Sequence, residues 1–145
     1  MSDNHPNPKF RVGDVPKGIR FHDISACKPK DISIQDSQYV LESKKRPMLV
    51  IGTPPTKIAD YETLDFTSHV PTENEKSNYL LKDNGKPRAF GVKLGFDCPS
   101  YLKLYPIRSC HEKNMHESKI DPFPREFVIS VLKIVLDRRL HTEDS

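Results

Sequence analysis

The chain has 145 residues, the size of one domain with one real core, and 35% of them are apolar. Thirteen prolines against six glycines describe a short-stranded, loop-rich domain and exclude a helical bundle. A net charge of +3, from 23 basic and 20 acidic residues, permits a phosphate-bearing partner without demanding one.

No apolar run approaches the roughly 18 residues of a membrane span, so no membrane partner is expected. Met1 to His5 lack the apolar segment of a signal peptide. Three cysteines without close spacing argue against a disulfide framework, and His111 beside Cys110 does not make a metal site. The expectation is a reduced, cytoplasmic protein without structural zinc or any other cofactor.

In chain order, residues 1–9 are polar, carry Pro6 and Pro8, and read as a disordered tail ahead of a single domain over residues 10–141. Phe10 to Val15 alternate apolar and polar, as a first strand does. Pro16-Lys17-Gly18 interrupts it and Ile19-Arg20-Phe21 resumes it, which implies a bulged or edge strand. Residues 22–45 form a long polar loop with a short apolar patch at Tyr39-Val40-Leu41; loops of that length are often functional.

The loop ends in Lys44-Lys45-Arg46-Pro47, which leads straight into Met48-Leu49-Val50-Ile51-Gly52. A short apolar run closed by Gly52 and Pro54-Pro55 predicts a central core strand. Rigid backbone under a fixed cation is one way proteins position charge against phosphate, although charge runs more often are solvated faces.

Tyr61 to Thr67 then alternate with period two, predicting a half-buried strand that runs out at Thr67-Ser68-His69. Asn84-Gly85, between Tyr79-Leu80-Leu81 and Ala89 to Leu94, signals a hairpin. Ser100 to Tyr105 alternate again, placing Tyr101 and Lys103 on one face and Leu102 and Leu104 on the other. His111 and His116 fall in a polar loop and are expected to be exposed. The last stretch predicts a helix capped by Asp121, with Pro122 in its first turn. Its apolar stripe is Phe127, Val128, Val131, Leu132, Val135 and Leu136. Five to seven short strands and one terminal helix make a mainly β (α+β) fold, a small β-barrel.

Several motifs in this order resemble the MazF/PemK (Kid-type) toxins of bacterial toxin–antitoxin pairs. They are Gly13-Asp14-Val15, Arg46-Pro47-Met48-Leu49-Val50-Ile51, Thr67-Ser68-His69, and the stretch from Tyr101 to Ser109. The resemblance implies an SH3-like barrel with a C-terminal helix, and a homodimer. It also implies a metal-independent endoribonuclease acting on single-stranded RNA, with a cognate antitoxin that covers the RNA groove. The family's catalytic pair maps onto Arg46 and Thr67, and a further basic residue maps onto Lys103.

Such cleavage needs a base for the 2′-hydroxyl, an acid for the leaving oxygen and cations on the phosphorane. Arg46 stays protonated, so it suits phosphate binding and charge stabilisation. Histidine is the side-chain type that exchanges protons near neutrality, which makes His69 the candidate acid–base group. It shares a face with Thr67 if that strand continues to residue 69. Lys44, Lys45, Lys103 and Arg108 are candidate phosphate contacts, and Tyr101 a stacking platform for RNA bases. A non-catalytic barrel that binds nucleic acid or a peptide is the alternative.

Overall fold

Strand β4 (Lys45–Gly52) is the centre of the molecule, and Met48, Leu49, Val50 and Ile51 within it are all buried. A computed structural model describes residues 8–19, 32–35, 38–41 and 45–144 of the chain. The tail over residues 1–7 and most of the 22–45 loop lie outside the described residues.

Besides β4, the strands are β1 (Lys17–Ile19), β2 (Ile32–Gln35), β3 (Gln38–Leu41), β5 (Tyr61–Thr67) and β6 (Ala89–Phe90). They continue with β7 (Ser100–Leu102), β8 (Arg108–Cys110) and β9 (Met115–His116), and the chain closes with helix α1 (Arg125–Asp144). Seven of the strands form one antiparallel sheet in the order β6-β7-β5-β4-β1-β9, with β8 also on β5. β7 and β8 divide one edge of β5: Phe66 and Thr67 pair with Leu102 and Tyr101, whereas Tyr61 to Thr63 pair with Cys110 to Arg108. Among the described residues no ladder joins β6 to β9, so the sheet is open.

Both faces of β4 are covered, which is why its apolar run is continuous rather than alternating. On one face Leu49 and Ile51 join Leu64, Phe66 and Leu102 under Val128, Val131 and Val135 of α1. Phe96, Phe123 and Phe127 extend this core, with ring centroids 4.9 Å apart for Phe66–Phe96 and 4.6 Å for Phe123–Phe127. On the other face Met48 and Val50 join Phe10, Tyr61, Cys110 and Met115. Each such side chain contributes roughly 1.5–3 kcal/mol when fully buried. The buried Tyr61 hydroxyl accepts from the Phe10 N–H at 3.2 Å and donates to Glu112 at 3.3 Å. Burial, foremost, raises its pKa above the ordinary value of 10.0.

Several sequence expectations are corrected here. Residues 10–15 do not form a strand: the Asp14 carboxylate accepts the Arg11 N–H at 2.9 Å, and Gly13 takes φ +100°. This local turn chemistry outcompetes the alternating pattern. The segment still hydrogen-bonds irregularly to β4 (Gly13 N–H to Val50 O, 2.9 Å; Met48 N–H to Pro16 O, 3.0 Å). The strand itself is Lys17–Ile19, where an interruption was expected, and it pairs with β4 on one side and β9 on the other.

The Asn84-Gly85 turn forms, with the Lys82 N–H bonded to Lys86 O at 2.8 Å and Gly85 at φ +80°. Only Ala89–Phe90 of its second arm is strand. Val92–Leu94 instead make a 3-10 turn closed by Gly95 at φ +99°. Within the long loop β2 and β3 pair antiparallel as a sheet of their own, Ile32 with Leu41 and Gln35 with Gln38.

Helix α1 begins at Arg125 rather than at Asp121. Residues preceding proline avoid helical backbone, and both Asp121 and Phe123 precede one. Their N–H groups bond instead to Leu94 O and Gly13 O, each at 2.8 Å. Leu136, assigned to the apolar stripe, is 58% exposed. His111 and His116 are half-buried rather than exposed, because the chain around them folds as a 3-10 turn (Glu112–Asn114) and then β9.

Candidate functional site

The cationic head of β4 and the end of β5 meet at one end of the sheet. Met48 faces Asp65 and Leu49 faces Leu64 in the antiparallel ladder. Both strands run on past the Met48–Asp65 pair, β4 back to Lys45 and β5 to Thr67, and Arg46 and Thr67 line one cleft. β1 flanks this point from the other side, with Lys17 against Pro47 and Gly18 against Arg46.

Lys17, Lys45, Arg46, Thr67 and Ser68 line a cleft of about 130 Å³ together with Phe96, Asp97, Cys98 and Ser100. Phe66, Pro47 and Ile120 add apolar surface to the lining. Three cations thus stand against one carboxylate, and Lys17 Nζ lies 3.5 Å from Asp97 Oδ2. Lys45 and Arg46 are exposed, and Thr67 is half-buried. The arrangement suits an anion: two ammoniums, a guanidinium and three hydroxyls line the space into which a phosphate would enter.

Of the other expected site residues, Tyr101 pairs directly with Thr67 and with Ala89. Lys103 bridges Tyr79, and its N–H donates to Asp65 O at 2.9 Å. Leu102 and Leu104 are buried while Tyr101 and Lys103 are half-exposed, the two-sided alternation expected of this strand. Arg108 is held by Asp65, Nε to Oδ2, at 3.3 Å. Tyr101, Lys103 and Arg108 do not line the cleft, and Tyr101 alone of the three pairs with one of its lining residues, Thr67. Lys44 lies outside the described residues.

β5 ends at Thr67, so His69 sits in the bend that follows rather than on the strand. Its backbone N–H donates to Thr67 Oγ1 at 3.2 Å, and its ring Nε2 is 3.0 Å from Glu75 Oε1. The Thr72 N–H, foremost, and then the His69 ring hold the Glu75 carboxyl down to about 2. An ionised carboxylate only accepts, so Nε2 carries the hydrogen in this contact. His69 does not line the cleft but follows directly on two residues that do.

Lys17, Asp97, Cys98 and Ser100 escaped the sequence reading, because they reach the cleft only through the β1–β4 and β5–β7 pairings. No local motif marks them. Among the described residues no group of three or more His, Cys, Asp or Glu side chains is placed to hold a metal ion. Nor is any described helix long and apolar enough to cross a membrane. In comparisons with known proteins, no family model and no curated sequence matches this chain.

Proposed function

We propose that the chain is a metal-independent endoribonuclease of the MazF/PemK type that cleaves single-stranded RNA, neutralised by a cognate antitoxin. The observation that carries this reading is the shared cleft of Arg46 and Thr67, reinforced by Lys17 and Lys45. In the reaction, the 2′-hydroxyl oxygen attacks the adjacent phosphorus and the 5′-oxygen leaves. The leaving oxygen takes a proton from solvent water, and the products are a 2′,3′-cyclic phosphate and a 5′-hydroxyl.

Arg46 binds the scissile phosphate and stabilises the charge that accumulates on the phosphorane. Thr67 donates to a phosphate oxygen or fixes the ribose. His69, oriented by Glu75 through Nε2, presents Nδ1 to take the 2′-hydroxyl proton. Tyr101 stacks a base, and Lys44, Lys45, Lys103 and Arg108 supply phosphate contacts along the strand. The same reading includes a cytoplasmic homodimer and an SH3-like barrel. Cys110 of β8 and Met115 of β9 share one core cluster, as a sheet curling toward closure would bring about.

RNA methylated at every 2′-oxygen tests the chemistry. It should bind and remain intact, and its cleavage would exclude attack by the 2′-hydroxyl. A second reading, a barrel that binds single-stranded nucleic acid without cutting it, is favoured by one observation: His69 does not line the cleft. Binding of unmodified RNA without any cleavage would select that reading.

A further inference from the structure

A second cationic cleft, of about 590 Å³, opens where the 3-10 turn between β8 and β9 faces the β4–β5 connection. Lys9, Lys57 and Lys113 line it together with His111 and His116, over the buried Met115. Its one carboxylate, Glu112, accepts the Tyr61 hydroxyl at 3.3 Å. Three ammoniums therefore face a single carboxylate.

The donors are aimed by their surroundings. The Lys9 ammonium stands 5.3 Å above the Phe10 ring. His111 Nδ1 accepts the Lys113 N–H at 3.1 Å, so its Nε2 carries the hydrogen and donates away from the turn. His116 Nε2 is buried and has no hydrogen-bond partner among the described residues. Buried polar nitrogens are nearly always partnered, and because this one is covered, a ligand in the cleft reaches it only after a shift of the surrounding side chains.

We propose that this cleft is a phosphate-binding site, taking the phosphate oxyanions of a nucleic-acid strand or of a free polyphosphate. A carboxylate offers two oxygens; the five nitrogen-bearing side chains here suit the larger oxygen count and charge of phosphate. The cleft shares no lining residue with the Arg46 cleft, and it stands independently of the ribonuclease reading. The two clefts still adjoin: Lys17, which lines the first, pairs with His116, which lines the second.

The test follows the ring signals of His111 and His116 in isotope-labelled full-length protein during two titrations. One adds inorganic tripolyphosphate and the other a short 2′-O-methyl oligoribonucleotide. Both rings should shift saturably with at least one probe. Lys57 and Lys113 are exposed, so the double variant Lys57→Glu/Lys113→Glu should fold normally. It should lose about tenfold in affinity and reduce the salt slope for the oligonucleotide by about two. Shifts with the oligonucleotide alone identify a nucleic-acid strand as the source, and shifts with tripolyphosphate alone a free polyphosphate. Silence of both rings with both probes, or unchanged affinity in the double variant, overturns the site. Because the tripolyphosphate arm involves no RNA, failure of the ribonuclease reading and failure of this site give different results.

Discussion

His69 and Glu75 show how a single residue's neighbours set its chemistry. The Glu75 carboxyl, lowered from 4.5 to about 2, secures the turn at Thr72 and the orientation of the imidazole. Its pKa is lower in the folded protein than in the open chain. The stabilisation it gives is therefore complete above pH 4.5 and is lost as pH falls toward 2. An NMR titration should show the Thr72 amide keeping its folded signal at pH 5 and losing it as pH falls toward about 2. Loss of that signal above pH 5 would contradict the assignment. On the proposed reaction, His69→Ala lowers cleavage by about 10²-fold while RNA binding is retained. An unchanged rate removes His69 from the chemistry.

At the scale of elements, β4 and α1 divide the legible from the illegible. Leu49 is fully buried, and Leu49→Ala should cost about 2–5 kcal/mol in urea unfolding. Leu136 lies on the exposed side of α1, so Leu136→Ala should stay within about 0.5 kcal/mol. Equal losses at the two positions would contradict the packing described. Gly13 combines φ +100° with an approach to the Phe123 carbonyl too close for a Cβ. Gly13→Ala should therefore destabilise by about 1–3 kcal/mol, and a stabilised variant would refute the strained turn.

These elements were readable to different depths. β4 and β5 announced themselves because apolar runs and period-two alternation are local signals, and the helix did so through Val128, Val131 and Val135. β8 and β9 are two or three residues long and exist only through pairing with β5 and β1, so no local pattern marks them. The helix start was misplaced because Asp121-Pro122 mimics a cap, while the N–H groups of Asp121 and Phe123 are claimed by Leu94 and Gly13. Arg46 and Thr67 could be named from motifs. That Lys17 joins them, and that His69 leaves the strand, are consequences of register and turn geometry.

For the whole molecule, a seven-stranded antiparallel sheet backed by a helix presents two cation-lined clefts, one built on Arg46 of β4 and the other on His116 of β9, with β1 between those strands. The modest net charge of +3 understates this local concentration of positive groups. If the clefts handle RNA phosphates, affinity for single-stranded RNA should fall steeply with salt, whereas an affinity indifferent to salt would contradict electrostatic binding. The homodimer in the proposal predicts a concentration-dependent sedimentation coefficient. A monomer at all concentrations would remove the dimer and leave the clefts untouched.

The central claim is tested most directly by incubating mixed-sequence single-stranded RNA with the protein in EDTA, wild type beside Arg46→Ala. The account predicts cutting by the wild type with 2′,3′-cyclic phosphate ends and a fall of about 10²-fold or more in the variant. Undiminished cutting by Arg46→Ala would contradict it.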